Sequence, residues 1–177
     1  HMTPQDIYSG ALLTAAESIM TVTTTVNTMY HYKPGVNEAK AFADTGLRGV
    51  VGHVCFSSRK EEDRRALKDL AKNWHDKADG LIRVSVATHS PYTVDPQYLE
   101  ELKETRETLT QEYGSQSKPI IGHIHVAETR DEPEKTRDVY GVQTDGGIMA
   151  YLDSLDVLDK RTIVAHCVAL SGRDIVV

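Results

Sequence analysis

Five runs rich in β-branched and small apolar residues recur along this chain, each separated from the next by a stretch with helical spacing. The runs are TVTTTVNTMY (21–30), LRGVVGHVCF (47–56), LIRVSVATHS (81–90), PIIGHIHVA (119–127) and TIVAHCVAL (162–170). Between them, NEAKAFADTG reads as a short helix stopped by Gly46. Leu67, Leu70, Ala71 and Trp74 share one face of a helix over about 61–77. Asp95-Pro96 opens another, with Leu99, Leu102, Leu109 and Tyr113 along one face. Two more helical segments are expected near Glu134–Tyr140 and Ile148–Leu155, and GRDIVV looks like the start of a further one. Ahead of the first strand, Thr3-Pro4-Gln5-Asp6 reads as a capping box that begins a helix running to about Met20. Strands that alternate with helices pair in parallel through right-handed crossovers, so the fold class is α/β with a parallel sheet. A complete (β/α)8 barrel takes about 250 residues, and this chain has 177 and too few strands.

Composition narrows the function. The net charge is −6 and no long basic run occurs, which argues against nucleic acid as a partner. No apolar run approaches the roughly 18 residues that span a bilayer. No leader peptide is visible, and two cysteines, Cys55 and Cys167, do not make a disulfide framework, so a cytoplasmic location is expected. His1-Met2 reads as a cloning remnant and 3–177 as a single domain fragment.

The residues able to do chemistry concentrate in PIIGHIHVAETRDE (119–132). Imidazoles and carboxylates in an apolar strand are costly unless paired. His123 and His125 alternate onto one face of that strand. Glu128 falls just past its end, on the rim where parallel α/β folds place their sites. His166 lies near the end of the next strand and His89 near the end of the preceding one. Any one of these has an ordinary reading: His125 as a hydrogen-bonded core histidine, Glu128 as a solvated loop residue, His89 and His166 as strand-end caps. Their convergence at neighbouring strand ends favours one site. His123 sits deeper and is expected to be structural, as are His31, His53 and His75; Cys55 and Cys167 read as small buried residues, the latter facing away from His166.

HIHVAET, ATHSPYT and TIVAHCVAL, with TTT…MY, GLRGVVG and YLDSLDVLDKRTIVAHCV, resemble the amidohydrolase superfamily. Within it they resemble the branch of methylthioadenosine/S-adenosylhomocysteine deaminases, cytosine-deaminase-like enzymes and triazine chlorohydrolases. The resemblance runs from Thr3 to Val177 and implies a partial TIM (β/α)8-type barrel of five parallel strands with intervening helices. It also implies roles: His125 as ligand of a Zn2+ or Fe2+ ion, Glu128 as proton shuttle, His166 as the residue orienting the activated water, and His89 as a substrate contact. The same resemblance places two further ligands on an H-x-H of a first strand and one on an aspartate of an eighth. Neither is in this sequence, so the chain is expected to run from strand two to strand six. Val22 and Asp156 stand where the family often has glycine, Thr28 where it often has aspartate, and Thr88 where it often has proline.

The expected parent activity is deamination of a purine nucleoside or related heterocycle, with this chain alone inactive. The alternatives are a triazine-type chlorohydrolase, a non-catalytic half-barrel that self-associates through open sheet edges, and a doubly wound binding domain. The lack of a glycine-rich phosphate loop argues against the last.

Overall fold

The computed structural model describes residues 2–176. Helix α1 (Pro4–Met20) leads into β1 (Thr25–Tyr30), followed by α2 (Glu38–Thr45), β2 (Arg48–Cys55), α3 (Lys60–Trp74), β3 (Ile82–Thr88), α4 (Pro96–Tyr113), β4 (Ile121–Val126), α5 (Glu132–Tyr140), α6 (Ile148–Ser154) and β5 (Thr162–His166). Short 3-10 turns occupy Ser57–Arg59 and Asp174–Val176.

The helix starts follow local chemistry. The Thr3 hydroxyl accepts from the Asp6 amide while the Asp6 carboxylate accepts from the Thr3 amide, the expected capping box. Asn37 caps α2 through the Lys40 amide and Asp95 caps α4 through the Tyr98 amide. Helix α2 ends on Gly46 at φ +75°, a left-handed position that glycine takes without strain.

All five strands pair in parallel, in the order β1-β2-β3-β4-β5. Strands three places apart in a flat sheet lie about 14 Å from each other. Yet the Asn27 side-chain nitrogen of β1 is 3.2 Å from both ring nitrogens of His123 on β4. The sheet therefore curls into a half-barrel. Gly52 lets it close: a Cβ there would lie 2.6 Å from Ser85 Oγ and 2.7 Å from Ala87 Cβ on the concave face.

The convex face carries the core. Val51, Cys55, Val84, Val86, Ile124 and Val126 are buried against Phe42, Leu67, Leu70, Leu99, Leu102 and Leu109 of the helices. Burying these side chains contributes about 1.5–3 kcal/mol each. Arg106 interrupts the leucine stripe of α4. It is 2 % exposed, and its guanidinium donates to both oxygens of Asp159, at 2.6 and 3.2 Å, and to the Thr162 hydroxyl at 3.2 Å. That bidentate pair ties α4 to the loop entering β5.

His53 and His75 are structural, as expected. The Tyr32 amide donates to His53 Nδ1 at 3.1 Å, so Nε2 carries the proton and donates to the buried Asp63 at 3.0 Å. The Val84 amide likewise donates to His75 Nδ1, leaving Nε2 to donate to the Lys118 carbonyl.

Three boundaries depart from expectation. The first strand begins at Thr25, because Thr21 and Val22 form the turn that ends α1. The last strand stops at His166 rather than Leu170, because His166 (φ +74°) and Cys167 (φ +53°) are left-handed and break the pleat. Cys167 is half-buried, unlike the fully buried Cys55. The apolar end of the chain forms one 3-10 turn at Asp174–Val176, and Val177 lies outside the described residues.

Val22 (φ +65°) and Asp156 (φ +54°) are the positions where the resembled family often has glycine. Both are left-handed, which explains the preference. Aspartate tolerates this backbone better than a β-branched valine. Val22 is 83 % exposed, so nothing packs on its side chain to offset the strain. Val22→Gly is expected to stabilise the chain by about 1 kcal/mol, seen as a melting-temperature rise of roughly 2–4 °C. An unchanged or lowered melting temperature would contradict a strained turn.

Candidate functional site

Parallel pairing sends every strand's C-terminal end to one rim of the half-barrel. His89, His125, Glu128 and His166 all lie there. The His89 and His125 rings are 5.5 Å apart between centres, and those of His125 and His166 are 4.9 Å apart. Glu128 Oε1 is 3.9 Å from His166 Nε2.

His166 reaches this group by an irregular route. Its register partner is Val126, whose side chain is buried on the convex face, whereas His125 pairs with Ala165. A regular pleat would put His166 on the convex side as well. The left-handed backbone at His166 interrupts the pleat, and its ring lies beside His125. Strict strand alternation does not predict this. Ala127, at φ +51°, makes the corresponding break at the end of β4 and leads into Glu128.

Burial lowers the pKa of His125, and the neighbouring His166 and His89 lower it further while Glu128 opposes them. Its imidazole is thus held neutral, the form that ligates a metal. His123 lies below, 5.8 Å from His125 between ring centres. Burial, with His125 beside it, brings its pKa down to about 4. It contacts Asn27 across the concave face, in keeping with a structural role.

His89 is held on two sides. Its Nδ1 is 2.8 Å from the Thr93 hydroxyl and 3.1 Å from that of Ser90. Its ring stacks on Phe56 at 4.5 Å between centres. The Arg59 guanidinium lies 4.8 Å over the Phe56 ring, and Arg59 donates to His31 Nδ1 at 3.1 Å. His31 therefore belongs to the rim, not to the core. Asp63 organises this corner, accepting from the Phe56 amide at 2.8 Å as well as from His53.

Two tetrahedral zinc ligands with Zn–N bonds of about 2.1 Å have ring centres roughly 5 Å apart. The His125–His166 spacing of 4.9 Å is of that order, so an ion held by His125 would have the His166 ring beside it. Among the described residues, no group of three or more His, Cys, Asp or Glu side chains stands close enough to hold a metal. The imidazole donors at this rim are of a chemistry that fits zinc.

Phe56, Asp63 and Glu132 escaped the sequence reading. Phe56 closes its strand as one more apolar residue, and Asp63 stands among the charges of a helix start. For Glu132 a signal existed: it follows Glu128 by four residues across a strand-to-helix turn.

The amidohydrolase family pattern matches residues 1–177. A 5'-deoxyadenosine deaminase of Methanosphaera stadtmanae is 38% identical over 167 residues, covering 90% of this chain and 35% of the relative. A 5-methylthioadenosine/S-adenosylhomocysteine deaminase of Thermoanaerobacter pseudethanolicus is 35% identical over 177 residues, 98% of this chain and 38% of the relative. Among solved structures, a zinc-bound adenosine deaminase from Xanthomonas campestris superposes with a TM-score of 0.78 at 27% identity, over 99% of this chain and 37% of that one. A zinc complex of atrazine chlorohydrolase from Arthrobacter aurescens shares the fold, with a TM-score of 0.75 at 18% identity over 98% of this chain and 40% of that one. This chain thus spans well under half the length of these relatives. The match along the whole sequence, together with a half-barrel that carries its histidines on one rim, shows that the chain belongs to the amidohydrolase family.

Proposed function

We propose that the protein carrying these residues is a zinc-dependent aminohydrolase that removes the 6-amino group of a 5'-substituted adenosine such as 5'-deoxyadenosine, methylthioadenosine or S-adenosylhomocysteine. The observation that carries this reading is the meeting of His125, His166 and Glu128 at one rim, in a chain with relatives above 30% identity that are named as deaminases of such nucleosides. Dechlorination is the weaker reading, because the chlorohydrolase likeness is one of fold alone.

His125 would hold the ion on this side of the site. The ion, when bound, supplies Lewis-acid activation that brings the pKa of water toward neutrality. Glu128 is 47 % exposed and within 3.9 Å of His166, placed to carry one proton from the attacking water to the ring nitrogen and a second, from the hydroxyl that the attack leaves on the carbon, to the amine, which departs as ammonia. His166 orients that water. His89, backed by Phe56, contacts the substrate ring. The remaining ligands come from outside these 177 residues, which form one fragment of the barrel domain. Both cysteines are free, in keeping with a reducing cytoplasm, and no helix among the described residues is long and apolar enough to cross a membrane.

Ammonia release from the three nucleosides tests the reading. The full-length zinc-loaded protein is expected to be active, with Glu128→Gln lowering kcat by about 10²–10⁴-fold. The 177-residue chain is expected to be inactive even with added zinc. Wild-type-like turnover by the Glu128→Gln enzyme would remove Glu128 from the chemistry.

We further propose that the outer edges of β1 and β5 are covered, by self-association of the isolated chain or by strands from the rest of the protein. Each has one sheet neighbour, and β5 leaves Ile163 exposed on the concave face. Such edges template further pairing. Light scattering over a concentration series is expected to show the isolated chain associating. A monodisperse monomer at high concentration would refute this.

A further inference from the structure

The break after β4 is held by a side chain with no role in the chemistry above. Glu132 opens α5, is 1 % exposed, and turns its carboxylate back toward the strand. Oε1 accepts from the Ala127 amide at 2.8 Å and Oε2 accepts from the Glu128 amide at 3.2 Å. One carboxylate thus bridges two successive backbone donors at the left-handed turn that presents Glu128. Glu132 is itself anchored, its amide donating to the Thr129 carbonyl at 3.3 Å and its carbonyl accepting from the Thr136 hydroxyl at 2.8 Å.

The same turn carries β5. The Cys167 amide donates to the Val126 carbonyl at 2.9 Å, and the Ala169 amide to the Ala127 carbonyl at 2.8 Å. The backbone that places His166 therefore leans on the backbone that Glu132 fixes. Stability alone does not account for a carboxylate here. Burying one is costly, and a second carboxylate, Glu128, stands nearby. Two N–H groups aimed at one point need a group with two acceptors and no donor. Carboxylate meets that need, whereas an amide side chain turns an N–H2 toward one of them.

We propose that Glu132 is a positioning residue, which sets Glu128 against His166 by clamping the Ala127 and Glu128 amides. This deepens the deaminase reading and rests on it for its kinetic consequence, but not for the clamp itself.

Amide hydrogen exchange in the 177-residue chain tests the clamp without any activity. In Glu132→Gln, protection at Ala127 or Glu128 is expected to fall by about 10–100-fold, as loss of a charge-assisted hydrogen bond requires, while β2 and β3 amides keep theirs. In the full-length enzyme the same variant is expected to lower kcat by about ten-fold or more with KM within about two-fold. Adding it to Glu128→Gln is expected to cost nothing further, since the two residues act as one unit. Undiminished protection at both amides would overturn the clamp. Lost protection with unchanged kcat, or additive losses in the double variant, would overturn the positioning role. A wild-type enzyme that releases no ammonia would sink the deaminase reading, leaving the exchange result to decide the clamp. Should Glu132→Gln not fold, Glu132→Asp withdraws the carboxylate by one methylene and is read the same way.

Discussion

Parallel pairing of all five strands is the constraint on which the rest of the molecule depends. It forces the chain to return through helices on the convex face, which is why Val84, Val86, Ile124 and Val126 find Leu67, Leu99 and Leu102 there. It also delivers every strand's C-terminal end to the same rim. Curl then brings residues of distant strands together. Without it Asn27 and His123 would stand apart, and with it they touch. Glycine at 52 is the local allowance that lets the concave face tighten.

A regular sheet would not by itself assemble the rim. Pleating would send His166 to the helix side with Val126. Left-handed residues at Ala127, His166 and Cys167 end the two strands abruptly and redirect the side chains. Such conformations cost free energy in non-glycine residues and persist where surrounding contacts hold them. Here the contacts are visible: Glu132 on the Ala127 and Glu128 amides, and the backbone bonds from Cys167 and Ala169 back to β4. Val22 is a left-handed residue of another kind, exposed and with no side-chain packing to hold it.

Several buried polar groups are met by partners from other segments of the chain. His53 and His75 each accept one backbone N–H and donate from the other nitrogen, which fixes their tautomers. Arg106 meets Asp159 with two parallel bonds. Asp63 gathers His53 and the Phe56 amide, and through Phe56 supports the stack under His89. The rim is thus backed by a shell of buried acids, Asp63 on one flank and Glu132 on the other.

The five strands and their intervening helices were legible in the sequence because β-branched runs, leucine spacing and helix starts at Thr3 and Asp95 are local signals. His89, His125, Glu128 and His166 stood out because polar residues at strand ends are few and their spacing is local too. The strand ends at Thr25 and His166 were not legible, since a left-handed residue without glycine leaves no compositional mark. Nor were the roles of Arg106, Asp63 and Glu132. A charged side chain in a helix reads as solvated until its partner, from another part of the chain, is brought beside it. By itself the sequence determined the order and type of the elements and the residues able to do chemistry. Only the tertiary structure decided which carboxylates are buried, how far the sheet curls, and that His166 turns toward His125, because each depends on contacts between segments that periodicity along the chain does not encode.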